Sequence, residues 1–201
     1  MTAISTSRAV GVVGAGTMGS GIAQLAAAAG HPVLLFDAFP GAGETGRQRI
    51  AKGLEEQVER GKMNAGDMAA SMARIEVDSS VDAFSRTALV VEAIVEELEL
   101  KRKLFAELED IIPVDAILAT NTSSISVTAI ARGLKRPGQV VGMHFFNPAP
   151  VMKLVEVISG VATHRGTAAT ILDTAIAWGK VAVHANSTPG FIVNRVARPY
   201  Y

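Results

Sequence analysis

From Ala9 to Phe36 the chain carries no aspartate, glutamate, lysine or arginine, and Gly11, Gly14, Gly16, Gly19, Gly21 and Gly30 interrupt that run. By length alone such a run can cross a bilayer. The glycines, with Gln24, His31 and Pro32, fit instead a strand, a turn, a helix and a second strand, all buried in protein. Val10-Gly11-Val12-Val13 is the first strand. Met18, Ile22, Leu25 and Ala29 then recur at helical spacing, Gly30 stops the helix, and Val33 to Asp37 forms an apolar strand that ends on an acid. At the first strand-to-helix turn, Gly14-Ala15-Gly16-Thr17-Met18-Gly19 reads G-x-G-x-x-G. There the glycines permit a tight turn, close approach of a diphosphate to the backbone, and tight helix-to-strand packing. Asp37 follows Gly19 by 18 residues, near the ~20 expected for a carboxylate that accepts from an adenosine ribose. It would repel a 2′-phosphate, and no arginine occupies the next nine positions, so the pattern favours NAD over NADP.

The remaining sequence keeps alternating. Helices are predicted over 43–60, from Lys62 to about Met72, over 98–111 (ending before Pro113), 126–134, 167–178 and, last, 191–197. Strands are predicted at 75–77, 88–94, 116–121, 139–145, 153–158 and 180–184. Near-continuous apolar strands alternating with helices imply an α/β fold: a doubly wound, mostly parallel, Rossmann-like sheet with helices on both faces.

Composition narrows the partners. Nineteen basic and nineteen acidic residues give no net charge, which removes the field that draws a protein to nucleic acid or an anionic membrane. The absence of cysteine excludes disulfides, thiolate metal sites and a thiol nucleophile. His31, His164 and His184 form no H-x-x-H pattern, so no metal site is expected. Met1 to Arg8 lacks the basic start and apolar run of a secretory signal, and a cytoplasmic location is expected.

Four segments carry candidate chemistry. His144 ends a strand, and Glu156 lies in a strand that returns after a turn containing Pro148 and Pro150. The two side chains can face each other, the carboxylate fixing one tautomer while the other ring nitrogen takes a proton. A buried histidine bonded to backbone fits the same spacing. Asn121-Thr122-Ser123-Ser124 sits at the carboxyl end of a parallel strand, where open α/β sheets bind ligands, although these hydroxyls also suit a helix N-cap. Asn194 follows Pro189-Gly190-Phe191 and can donate and accept at once. Glu96, Glu97, Glu99 and Lys101 read as the solvated start of a helix.

Together, VGVVGAGTMGSGIAQLAA, VVEAIVEELELKRKLFAEL, ATNTSSIS, GMHFFNPAPVMKLVEVI and NSTPGFIVNRV resemble, in order and across the chain, the NAD-binding domain of the L-3-hydroxyacyl-CoA dehydrogenase family. The resemblance implies NAD-dependent oxidation of an (S)-3-hydroxyacyl-CoA to the 3-ketoacyl-CoA in fatty acid metabolism, and the ending NRVARPYY is most like bacterial members acting on 3-hydroxybutyryl-CoA or 3-hydroxyadipyl-CoA. It makes His144 the base and Glu156 its partner. It gives Ser123 and Asn194 contacts to the reacting oxygen, and assigns Glu96, Lys101 and Asn147 to the nicotinamide half of the cofactor. Coenzyme A would lie along the helix pair near residues 47–62, with Lys62 a phosphate contact. Residues 1–187 would be the NAD-binding domain. Residues 188–201 would open a helical domain that, in the family, completes the acyl cleft and forms a homodimer. The rivals are a sibling dehydrogenase of a free hydroxy acid, of the gulonate or carnitine type, and a non-catalytic NAD-binding protein, which would have no need of His144 and Glu156 together.

Overall fold

A computed structural model describes residues 3–197. Eight strands form one sheet: β1 (Ala9–Val13), β2 (Val33–Phe36), β3 (Ile75–Asp78), β4 (Thr87–Glu92), β5 (Ile117–Thr120), β6 (Val140–Phe145), β7 (Leu154–Ser159) and β8 (Val181–Asn186). Their order is β3-β2-β1-β4-β5-β6-β7-β8. The first six are parallel. The expectation of a doubly wound, mostly parallel sheet therefore holds. The direction changes at the end, where β7 runs antiparallel to β6 and β8 runs parallel to β7. The turn through Pro148 and Pro150 is short, and a parallel return would need a crossover of a dozen or more residues.

Alternation along each strand divides the apolar side chains between two cores. Val10, Val12, Leu89 and Val91 face α1 (Thr17–Ala28), α2 (Ala42–Glu59), α3 (Ala65–Ala73) and α6 (Arg165–Ala177); Val13, Val90 and Leu118 face α4 (Leu98–Ile111) and α5 (Val127–Ala131). With both faces covered, all six residues of β4 are buried, which is why the parallel strands read as unbroken apolar runs.

Among the boundaries that differ from the sequence reading, three have a plain local reason. The short helix starts at Ala65, not Lys62, because the Asn64 side chain caps it by accepting from the Asp67 N–H at 2.7 Å. The helix expected over 126–134 is only Val127–Ala131; Ser126 caps its start and Gly133 turns left-handed at φ 89°. The last helix, α7 (Val193–Ala197), begins two residues later than expected, since Phe191 has φ 47°. Residues 198–201 of the anticipated second domain lie outside the described residues. Among the described residues no helix is long and apolar enough to cross a membrane.

Candidate active site

The strand order reverses between β1 and β4, and such a reversal opens a crevice at the carboxyl ends of the strands. Gly14 follows β1 into that crevice at φ 97°, and a Cβ there would sit 2.6 Å from the Ala93 carbonyl oxygen. At Gly19 a Cβ would fall 1.7 Å from the Gly14 carbonyl, whereas at Gly16, the N-cap of α1, it would meet nothing within 4 Å. Gly14 and Gly19 thus let the loop close on itself. Gly16 leaves bare backbone before the helix N-terminus, which is the cradle a dinucleotide diphosphate requires. Ala15, Thr17 and Met18 complete this turn, and Met18 reaches the next cleft as well.

Asp37, at the end of β2, lines a groove of about 630 Å³ with Gly14, Gly16, Phe36 and Phe39. Its carboxylate accepts from the Ala15 N–H at 2.7 Å and the Phe39 N–H at 3.0 Å. The acid singled out for a ribose therefore also pins the glycine loop. Arg49, which sequence reasoning passed over, holds the same loop by donating to the Ala15 carbonyl at 2.9 Å and the Ser20 hydroxyl at 3.1 Å. Its place in the middle of a charged helix face gave no signal.

Beyond the glycine turn lies a cleft of about 440 Å³ lined by residues that include Met18, Glu96, Ser123, His144, Asn147 and Asn194. His144 and Glu156 are direct cross-strand neighbours on β6 and β7. The His144 Nδ1 lies 2.8 Å from Glu156 Oε2. With a carboxylate accepting there, Nδ1 carries the hydrogen and Nε2 is left to accept a proton. Phe146 and Phe191 flank the imidazole at ring-centre distances of 4.5 and 5.9 Å. The other carboxylate oxygen, Glu156 Oε1, accepts from the N–H groups of Ile192 and Val193, both at 2.9 Å. Glu156 is fully buried, so this one side chain joins the imidazole to the segment that enters α7. Strand alternation suggested the pairing with His144, but nothing in the sequence showed the second contact.

Asn194, on α7, donates to the Ser123 carbonyl at 3.1 Å. The Ser123 loop hangs on Glu96, whose Oε1 accepts from the Thr122 hydroxyl at 2.6 Å, the Ser123 N–H at 2.9 Å and the Ser124 N–H at 3.1 Å. Partial burial pushes the Glu96 carboxyl up, but the Thr122 hydroxyl, the Lys101 ammonium and the Ser123 N–H outweigh it and hold the group below the ordinary carboxylate range. Lys101 is not a solvated helix residue. It is 1% exposed, with Nζ 2.5 Å from Glu92 Oε1 and 3.4 Å from Glu96 Oε2. The sequence reading took Glu92 for a strand residue and missed this pair.

Asn147 stands exposed at the cleft on the turn after β6. Lys180 braces that turn, donating to the carbonyls of Ala149 at 2.6 Å and Met152 at 2.9 Å, and burial lowers its pKa. Lys62 lies elsewhere, exposed in the turn between α2 and α3 and absent from the lining of this cleft. Among the described residues no group of three or more His, Asp or Glu side chains has the arrangement of a metal site.

Residues 9–188 match the sequence family described as "3-hydroxyacyl-CoA dehydrogenase, NAD binding domain". The chain is 49% identical over 192 residues to 3-hydroxyadipyl-CoA dehydrogenase of Escherichia coli K12, a match covering 96% of this chain and 40% of that protein. It is 45% identical to a probable 3-hydroxybutyryl-CoA dehydrogenase of Bacillus subtilis, covering 94% and 66%. The crystal structure of 3-hydroxybutyryl-CoA dehydrogenase from E. coli K12 superposes with a TM-score of 0.95 at 47% identity, covering 98% of this chain and 42% of that one. The chain thus spans well under half the length of the E. coli relatives. Sequence motifs, strand order and the open glycine cradle agree with these matches: the chain belongs to the 3-hydroxyacyl-CoA dehydrogenase family, as its NAD-binding domain.

Proposed function

We propose that the protein oxidises a short-chain (S)-3-hydroxyacyl-CoA to the 3-ketoacyl-CoA, with His144 and Glu156 as its proton-handling dyad. The observation that carries this reading is the dyad itself: Nδ1 engaged by a fully buried carboxylate at 2.8 Å, in a cleft next to the glycine turn. When bound, NAD supplies the hydride acceptor. His144 Nε2 takes the hydroxyl proton, and Glu156 stabilises the resulting imidazolium across the Nδ1 hydrogen bond. In the reverse direction the protonated imidazole donates to the ketone oxygen. Ser123 and Asn194, tied together at the rim, orient that oxygen, and Asn147 and Glu96 border the nicotinamide end. Homodimerisation through a helical second domain, as in the family resemblance, belongs to the same proposal.

The test is oxidation of NADH with acetoacetyl-CoA and with free acetoacetate side by side. Turnover with the thioester at least about tenfold above that with the free acid is the expected result. Preference for the free acid would move the protein to the gulonate or carnitine type, and NADH binding without turnover on either, in protein extended through the helical second domain, would support a non-catalytic role.

A further inference from the structure

Glu92 is a carboxylate sealed inside a strand whose every residue is buried. Removing a charge from water is costly, and a buried ion pair is a weak source of stability compared with a well-packed apolar pair. Its value here lies in where its bonds lead. Oε1 accepts from Lys101 Nζ at 2.5 Å and from the Ile94 N–H at 2.8 Å; Oε2 accepts from the Thr120 hydroxyl at 2.8 Å. From these contacts two routes reach the same loop. Thr120 Oγ1 accepts from the Thr122 N–H at 3.2 Å. Lys101 Nζ stands 3.4 Å from Glu96 Oε2, and Glu96 Oε1 holds Thr122, Ser123 and Ser124. Glu96 itself is over a third exposed, so the fixed end of the chain is Glu92.

We propose that Glu92 is a positioning residue for the Ser123 loop: it sets Lys101 and Thr120, and through them Glu96 and Thr122, at the rim of the His144 cleft. The kinetic consequence rests on the reading of Ser123 given above. Placement of the loop does not, so the two can fail separately.

The experiment measures amide hydrogen exchange by NMR at Ser123 and Ser124, together with kcat, KM for acetoacetyl-CoA and NADH affinity, in Glu92→Gln and in the milder Thr120→Val. Ile75→Ala, in the buried face of the edge strand β3, serves as a destabilised control. Losing a charged partner should speed exchange at the two serines by about tenfold or more in Glu92→Gln and about threefold in Thr120→Val. In Glu92→Gln, kcat/KM should fall about tenfold. Ile75→Ala should lower Tm without changing either readout. If Glu92→Gln does not fold, Thr120→Val decides. Faster exchange with unchanged kcat/KM would uphold the positioning and remove Ser123 from the reaction. Exchange unchanged within twofold would overturn the role of Glu92 whatever the kinetics, as would an equal response in Ile75→Ala.

Discussion

The two halves of the cleft are built by different means. On the β1–β4 side the geometry comes from local backbone: a glycine turn that tolerates no Cβ at positions 14 and 19 and leaves open space at 16. Asp37 and Arg49 hold that turn by bonds to its backbone. On the β6–β7 side the geometry comes from side chains distant in sequence. A reversed strand puts Glu156 across from His144, and the same carboxylate holds the start of α7. On the proposed function the first half grips by shape, and the second does the chemistry through a carboxylate with two contacts. If that division is right, the halves should fail independently.

The largest expected effect lies on the chemical side. His144→Gln should lower turnover by ~100- to 10,000-fold with NADH affinity near wild type; retention of more than half the turnover would mean the base is another group. On the gripping side, Asp37→Ala removes a charge-assisted acceptor and should weaken NADH binding by ~10- to 150-fold, read by fluorescence titration. Equal titrations would take Asp37 out of the cofactor site. Glu156 sharpens the contrast within one residue. Glutamine can still accept from the N–H groups of Ile192 and Val193 but meets the His144 Nδ1–H poorly. Alanine leaves all three donors unpaired in a fully buried place. Chemical denaturation should show Glu156→Ala less stable than Glu156→Gln by about 2–4 kcal/mol, with both variants slow. Similar stabilities would show that the contact with α7 carries no weight.

The smallest effect concerns pH and lies outside the cleft. His31 is buried, its ring 5.7 Å from that of Trp178 in a T-shaped pair and its Nδ1 3.1 Å from the Arg8 carbonyl. Burial holds its pKa below the ordinary value, against the opposing pull of that carbonyl. The unfolded chain therefore binds the proton first as pH falls. Stability present above about pH 6.5 should decline below it, by on the order of 1 kcal/mol by pH 5. His31→Gln should flatten that slope in urea melts taken at several pH values, and an unchanged slope would assign it to carboxylates such as Glu96.

What the sequence revealed follows the same division. The glycine turn, the acid after β2 and the alternation of apolar strands were legible because each reflects a requirement on consecutive residues. His144 and Glu156 were legible as candidates, since the prolines between them imply a return, yet by spacing alone a backbone-bonded histidine was the commoner outcome. Lys101 was misread as solvated because its charge sits in a helix-start pattern, and only the packing of α4 against β4 shows it buried against Glu92. Lys180 and Arg49 escaped for a related reason. Each acts on main-chain carbonyls, and carbonyls leave no trace in residue identity. The left-handed Phe191 that delays α7 likewise follows from its surroundings, since non-glycine residues seldom adopt that region.

The most direct test of two separable halves is a double-mutant cycle of Asp37→Ala and His144→Gln, measuring NADH affinity and turnover at saturating NADH and acetoacetyl-CoA in all four proteins. Independence requires that Asp37→Ala shift affinity by the same factor with or without His144, and that His144→Gln lower saturated turnover by the same factor with or without Asp37, each within about twofold. A double variant whose turnover or affinity departs from that product by about tenfold or more would contradict the account and show one coupled site.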